Sequence, residues 1–351
     1  MTGYVLRRLL WMVPTLLGIT LVVFLAARAA PGEAAVVLAD AGEGAEPGLD
    51  SQERIARFRE EHLFDRTLVR QYLHFLGPFD LSPRGHAACG GSGAHPWHGL
   101  LAFDFGHEFA RPTVGVAGEL GRRLRVTVPL ALTSILLAWA LAVPLGVLSA
   151  VRRGSPGERA AALFLFALHS VPAFWLGLMG ILAFGAAGLA WLPVVGLHDK
   201  DASALAPLPY AWDVVKHAIL PVATLALPSL AYLSRQVKGA MVEALESDYV
   251  RAARAKGLPE RAVIVRHALR NSLLPLVTLS GSILPALIGG SVVVETVFSI
   301  PGVGRYAYEG LLARDLNVIL ATTTVSAVMT LAGILLADLA YAAVDPRIRH
   351  G

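Results

Sequence analysis

Six long stretches of the chain contain almost no charged residue, and this pattern limits the fold more than any other feature. Each is long enough to cross roughly 30 Å of hydrocarbon as an α-helix. The stretches are Leu9–Ala27, Val126–Val151, Ala160–Leu197, His217–Ser234, Asn271–Val294 and Val318–Val344. Ala160–Leu197 is too long for one span, so we expect its helix to end near Gly188, before the interfacial Trp191. The sequence therefore predicts an all-α integral membrane protein with six transmembrane helices.

The composition excludes a soluble enzyme, a disordered chain and a disulfide scaffold. Of the 351 residues, 55% are apolar and only 16% are charged, whereas soluble domains contain about 25% charged residues. The single cysteine, Cys89, excludes an internal disulfide and a cysteine metal cluster. Four histidines of the loop before the second span are candidate metal ligands, but their spacing matches no pair on one helical face, so we interpret them as solvated. They are His86, His95, His98 and His107. No metal or cofactor site is predicted.

The distribution of Lys and Arg in the short loops predicts the orientation. Basic residues precede the first span, lie between the second and third, crowd the loop between the fourth and fifth, and follow the last. The intervening short loops contain only Lys200, Lys216, Arg305 and Arg314, and the long loop 31–125 is discounted because long loops cross the membrane whatever their charge. We therefore expect both termini to be cytoplasmic in a multi-pass protein of the bacterial inner membrane.

Three segments follow from this topology. Residues 1–30 hold the first transmembrane helix, 31–125 form a long extracytoplasmic loop, and 126–351 contain the other five spans. A cleaved signal peptide is the alternative for the start of the chain, but its apolar run is longer than a usual signal-peptide core. In the outer loop, a capping-box spacing from Asp50 to Glu53 predicts a helix.

The cytoplasmic loop 235–270 is the most informative segment. Good helix formers over Glu243–Ala255 predict a helix, Gly257 occupies the position of a C′ glycine, and Pro259 suits the start of a second helix, Pro259–Arg270. The small residues Ala252, Ala253 and Ala255 allow another backbone to approach. We expect this helix–turn–helix to dock on a cytoplasmic protein. A basic segment lying on anionic lipid is the alternative, whereas DNA binding is excluded because two spans lie only a few residues away.

Several motifs in this order resemble one family. They are Asp248–Leu258 followed by His267–Pro275, Ser170–Gly177, Leu192–Gly196, Glu295–Gly304 and Asp345-Pro346-Arg347, together with Tyr4–Pro14 at the first span. The chain resembles, over nearly its whole length, the permeases of peptide and nickel ATP-binding-cassette importers. The long loop after the first span is typical of the first of the two permeases in such systems. The stretch 79–99, rich in Gly and His, has no counterpart in the resemblance.

The resemblance implies a non-catalytic transport subunit with a type I importer permease fold. Its implied partners are a second permease, two ATPase subunits and an extracytoplasmic binding protein, with membrane lipid and no nucleic acid. The chain has no Gly-Lys-Ser/Thr phosphate-binding loop, so ATP and Mg²⁺ would be bound by the partner ATPases. The implied docking residues are Asp248, Tyr249, Arg251, Ala252, Ala253, Arg254, Ala255, Lys256 and Gly257.

The substrate is less evident from the sequence. The uncharged spans suit peptides, with a nickel chelate or another small solute as the alternative. An ion-gradient-driven transporter is the rival class, but such proteins usually bury ionisable groups at mid-membrane, and the spans hold few besides His169 and Asp338. His169, Ser280, Ser282 and Thr323 are candidates for a substrate path. The alternative for each is hydrogen bonding between helices.

Overall fold

The structure is a computed structural model that describes residues 2–30, 51–77, 99–185, 187–199, 201–273 and 291–344. Over these residues the fold is helical, and the only β-type pairings are isolated bridges from Gly99 to Asp104 and from His107 to Gly115. The helices are α1 (Thr2–Ala29), α2 (Ser51–Glu61), α3 (Leu68–Leu76), α4 (Val116–Val151), α5 (Pro156–Ser170), α6 (Ala173–Phe184), α7 (Pro207–Glu246), α8 (Asp248–Ala255), α9 (Glu260–Ala262), α10 (Arg270–Ser272), α11 (Val303–Leu312) and α12 (Leu316–Val344). A π-helix, Val263–Leu269, joins α9 to α10.

Four of these helices are long and apolar enough to cross a membrane. They are α1 from Leu6 onward, α4, α7 and α12 up to Leu339. The predicted span His217–Ser234 is the central part of α7, which is 40 residues long and continues into the cytoplasmic loop. The predicted fifth span, Asn271–Val294, lies largely outside the described residues, so the count of six spans stays a prediction.

The third span differs from the prediction of one helix ending near Gly188. It consists of α5 and α6, which are bent by 102° at Val171-Pro172. Val171 has an extended backbone (φ −88°, ψ 129°), as expected of a residue that precedes proline, and Pro172 has no N–H for a continuing helix. The expectation of a single straight helix was therefore wrong, because the proline breaks the span and α6 ends at Phe184.

The chain divides into two compact units, and the predicted segments 1–30, 31–125 and 126–351 stay a prediction. One unit comprises Leu6–Val126 and Gly302–Val328. Its apolar core consists of Phe105, Val116, Leu120, Val303, Tyr306, Val318 and Ala321. The outer-loop helix predicted after Asp50 is present as α2, and a second helix, α3, follows it. The long loop is thus helical in part.

Buried polar residues tie the segments of this unit together. The carboxylate of Asp315 accepts hydrogen bonds from the backbone N–H groups of Phe109 (2.6 Å) and Val318 (3.1 Å), and so caps the start of α12. The Tyr306 hydroxyl donates to Glu108 (2.8 Å), which also forms a two-bond pair with Arg111. These contacts join positions about two hundred residues apart in sequence.

The other unit comprises Met1–Val5, Thr127–Pro301 and Met329–Gly351. Its central element is α7, whose buried side chains include Leu225, Leu233, Val237 and Met241. An added Cβ at Gly146 of α4 would collide with the side chain of Val237. Glycine there allows α4 to lie closely against the C-terminal half of α7, which leads directly into the helix–turn–helix.

Candidate functional site

The helix–turn–helix of loop 235–270 begins where the helical backbone is interrupted at Ser247. The sequence predicts one helix over Glu243–Ala255, but Glu243 belongs to the end of α7, and Ser247 is extended (φ −73°, ψ 155°). The helix that follows, α8, therefore starts at Asp248. We call Asp248–Ala255 the coupling helix. The break matters because it makes this short helix a separate element from α7.

One face of the coupling helix is buried within the chain. Val250 and Ala253 are buried, and they face the π-helix and α7, whose Val263, Ala268 and Met241 are buried as well. Ala253 was predicted to receive a partner's backbone together with Ala252. The structure places Ala253 among these buried packing residues, and its part in docking stays a prediction.

The opposite face of the coupling helix is exposed and partly apolar. Tyr249 is 41% exposed, and Leu258, just beyond the helix, is 39% exposed. Ala252 and Ala255 lie between them and are also exposed. Small side chains flanked by two larger apolar ones form a shallow surface that another protein can approach closely. We call Tyr249, Ala252, Ala255 and Leu258 the outer face.

Basic residues surround the outer face. Arg251 pairs with Asp248 at 2.7 Å, whereas Arg254 reaches across the turn to Glu260, with nitrogen–oxygen distances of 2.7 and 3.2 Å. The Arg254 guanidinium hydrogen-bonds the Glu260 carboxylate and holds the pKa of Glu260 below its usual range. Exposed pairs of this kind contribute little stability. The Arg254–Glu260 pair joins the two helices across the turn.

The turn itself depends on Gly257. Its φ of +76° confirms the positive φ expected of a C′ glycine, and its N–H donates to the carbonyl of Arg254 at 2.9 Å. An added Cβ would meet no atom within 4 Å. A substitution at Gly257 therefore changes the backbone preference without creating a clash.

The second helix begins at Glu260, one residue later than predicted, with Pro259 as its cap. Most of it is a π-helix, Val263–Leu269, which widens the helical turn. The Ser272 hydroxyl donates to the carbonyls of Ala268 (2.8 Å) and Ala240 (3.2 Å). These bonds hold the second helix against α7, and the coupling helix contacts both.

Two ion pairs fix the base of this assembly, and the sequence analysis found neither. Lys238 of α7 contacts Glu158 of α5 at 2.6 Å, and Arg153 contacts Glu246 at 3.0 Å. The partners are 80 and 93 residues apart, so no local pattern indicates them. The first pair joins the start of α5, and the second the short loop between α4 and α5, to the C-terminal part of α7.

The predicted substrate-path residues are placed in part. His169 is exposed near the end of α5, with Nδ1 3.3 Å from the carbonyl oxygen of Pro228. It lines a cavity of about 250 Å³ between α5 and α7. Thr323 is half-buried in α12 and belongs to the other compact unit. Ser280 and Ser282 lie outside the described residues, as do Cys89, His86, His95 and His98.

The cavity beside His169 contains charged groups that the sequence analysis did not select. Its polar lining consists of Glu158, Lys238, Arg235, Ser149 and Ser234, and its apolar lining of Ala162, Leu165, Phe166 and Ala231. Glu158 and Lys238 pair with each other at 2.6 Å, so Arg235 supplies a further positive charge next to the apolar wall.

Comparisons with known proteins define the class. Residues 142–350 match the family described as binding-protein-dependent transport system inner membrane component. The chain is 35% identical to the oligopeptide transport system permease protein AppB of Bacillus subtilis, over all of both chains. It is 33% identical to the dipeptide transport system permease protein DppB of Escherichia coli, over all of this chain and 99% of that one. The chain belongs to this family of membrane components of binding-protein-dependent transport systems.

The fold agrees with this assignment. A solved structure titled as inward-facing conformations of the MetNI methionine ABC transporter matches with a TM-score of 0.52. The match covers 65% of this chain and 97% of that one, at 19% identity. The predicted class, an all-α membrane protein with the fold of an ATP-binding-cassette importer permease, is confirmed.

Proposed function

We propose that the chain is the permease subunit of an ATP-binding-cassette importer that moves short peptides across the cytoplasmic membrane. Two relatives aligned over their full length are named as oligopeptide and dipeptide transport permeases. The uncharged spans predicted from the sequence support a path for a bulky neutral or zwitterionic solute. Membership of the family sets aside the ion-gradient transporter considered as the rival class.

ATP hydrolysis belongs, in this proposal, to two partner ATPase subunits that bind ATP and Mg²⁺, and the chain itself is not an enzyme. The outer face of the coupling helix docks on one of them. The observation that carries this step is a short helix with a buried inner face and an exposed apolar outer face, mounted on the end of a membrane-spanning helix. A force applied to Tyr249 or Ala252 would pass through Val250 and Ala253 into α7.

The remaining partners are a second permease subunit, an extracytoplasmic binding protein and membrane lipid, and nucleic acid is not among them. Both termini are proposed to be cytoplasmic, which puts residues 31–125 outside. This orientation rests on the Lys/Arg distribution, and it puts the coupling helix on the side where ATP is available.

The cavity beside His169 is proposed as part of the substrate path. The basic side chain of Arg235 would attract a peptide carboxylate, and Phe166 would contact an apolar side chain. Thr323, Ser280 and Ser282 are proposed as further polar positions of that path. We expect the binding protein to contribute most of the selection, because the permease spans offer few fixed charges.

The test is the ATPase activity of the purified complex in lipid, stimulated by loaded binding protein. Ala252→Trp should insert and assemble normally but lose most of the stimulation, since a large side chain holds the outer face away from its partner. Ala252→Ser is the matched control, because it stays small, and should retain the stimulation. Full stimulation with Ala252→Trp would contradict docking through this face.

A further inference from the structure

A cluster of two carboxylates and one histidine lies at the start of α7, far along the helix from the coupling helix. It consists of Asp199, Asp213 and His217, each with one potential ligand atom, and these atoms lie within 4.8 Å of one another. Asp213 is 4% exposed and His217 is 3% exposed, whereas Asp199 is open to solvent. A buried imidazole next to two carboxylates needs an explanation, because burial is costly for unmatched polar groups.

The tautomer of His217 follows from its contacts. Its Nδ1 lies 2.9 Å from the backbone carbonyl of Asp213, and a carbonyl only accepts, so Nδ1 donates its proton there. In the neutral ring, Nε2 then carries a lone pair. That lone pair faces the carboxylate Oδ1 of Asp199 at 3.6 Å, which is beyond hydrogen-bond distance. Two acceptors facing each other repel unless a cation lies between them.

The geometry matches the donor set of a transition-metal ion. In a tetrahedral zinc site with bonds of about 2.0–2.1 Å, neighbouring ligand atoms are about 3.3 Å apart, close to the 3.6 Å between Asp199 and His217. A metal-bound histidine usually donates its other ring N–H to a carbonyl or carboxylate, as His217 does to Asp213. Imidazole with carboxylates is a donor set that zinc accepts.

The charges around the cluster sum to a negative value, which favours binding of a divalent cation. The Asp213 carboxylate accepts the backbone N–H of Asp199 at 2.8 Å, and Lys216 is 3.8 Å from its other oxygen. With neutral His217, the two carboxylates and this lysine sum to one negative charge. His198, another titratable group nearby, is exposed and directs Nδ1 to the carbonyl of Asp199 at 2.9 Å.

We propose that Asp199, His217 and Asp213 bind Zn²⁺ on the side of the membrane predicted to be extracytoplasmic. The ion would tie the loop that contains Asp199 to the first three turns of α7. The proposal is independent of the peptide-import proposal and differs from the expectation that the chain has no metal site. The sequence does not indicate the cluster, because Asp199 is 14 residues from Asp213 and no compact metal-binding motif links them.

The test measures Zn²⁺ binding to the full-length chain in its complex, purified in lipid nanodiscs and cleared of metal with a chelator. The His-rich outer loop could also bind metal, so the background carries His86→Gln, His95→Gln and His98→Gln. We expect one Zn²⁺ to bind per chain in that background. Asp199→Asn should weaken binding by roughly 10-fold or more, and His217→Gln should abolish it. His198→Gln, the matched control, should bind as the background does.

A second readout is the visible absorption of Co²⁺, which is strong in a tetrahedral site and weak for ions held loosely at a surface. Loss of this absorption in Asp199→Asn is the expected result. Because Asp199 is exposed, this variant tests the proposal even if His217→Gln fails to fold. The absence of saturable Zn²⁺ binding, or binding unchanged by Asp199→Asn, would overturn it. A complex stabilised by acidification but not by Zn²⁺ would show that a proton bridges the pair instead, and would also overturn it.

Discussion

Replacing Gly257 by valine tests whether the turn after the coupling helix transmits energy. Glycine adopts the φ of +76° without steric cost. A residue with a Cβ raises the conformational free energy of the native turn by roughly 1–2 kcal/mol in the left-handed region. A β-branched residue such as valine is rarely found there. No atom lies within 4 Å of the added Cβ, so this backbone cost is the whole perturbation. It corresponds to about a 5- to 30-fold change in the population of the native turn.

The assay is ATP hydrolysis stimulated by loaded binding protein in the reconstituted complex. We expect Gly257→Val to insert and assemble with its partners but to lose stimulation several-fold, since the turn orients the coupling helix and its Arg254–Glu260 pair. Gly257→Asn is the matched control, because asparagine tolerates positive φ, and it should retain most of the activity. Equal stimulation in glycine, valine and asparagine variants would refute the role of the turn.

Three further predictions concern packing, pH and topology. Ala253→Trp should lower the yield of folded complex, because its site is buried and overpacking costs about 1–3 kcal/mol of stability. Ala252→Trp should give a normal yield, which would show that Ala253 acts in packing and Ala252 in docking. Burial raises the pKa of Asp315 from 3.8 to about 6, so ionisation is less favourable in the folded state. The Asp315 contribution to stability should decline as pH rises through about 6, and a thermal-unfolding series compared with Asp315→Asn checks this; parallel pH curves would contradict it. Cys89 should react with a membrane-impermeant thiol reagent in intact spheroplasts, and labelling only from the cytoplasmic side would contradict the proposed orientation.

Local sequence rules predicted the features that depend on a few neighbouring residues. The positive φ of Gly257 followed from its place between good helix formers and Pro259. The helix after Asp50 followed from its capping box and is present as α2. In both cases the backbone preference of a few residues decides the structure.

The breaks were predicted less well, because one residue outweighed a long favourable pattern. Apolar residues continue on both sides of Pro172 and favour one helix, but the proline and its extended neighbour bend the span by 102°. Ser247 interrupts a run of good helix formers in the same way. Helix propensity is a weak preference that tertiary packing readily overrides.

The contacts that position the candidate site depend on residues far apart in sequence. The Glu158–Lys238 pair links residues of α5 and α7, and no periodicity indicates it. The distinction between Ala252 and Ala253 has the same origin, because only the packing of the coupling helix on the π-helix decides which alanine is buried. Small residues in a helix predict close approach, but they do not specify the partner.

A cross-link between the coupling helix and an ATPase subunit would show directly that this helix docks on the ATPase. Tyr249→Cys, in a chain whose own thiol is removed by Cys89→Ser, should form a covalent product with the ATPase when treated with a short bifunctional maleimide. Trp191→Cys is the control, because Trp191 is exposed and is predicted to lie on the other side of the membrane. We expect a cross-linked product with Tyr249→Cys and none with Trp191→Cys. An assembled complex in which Tyr249→Cys gives no ATPase product would contradict it.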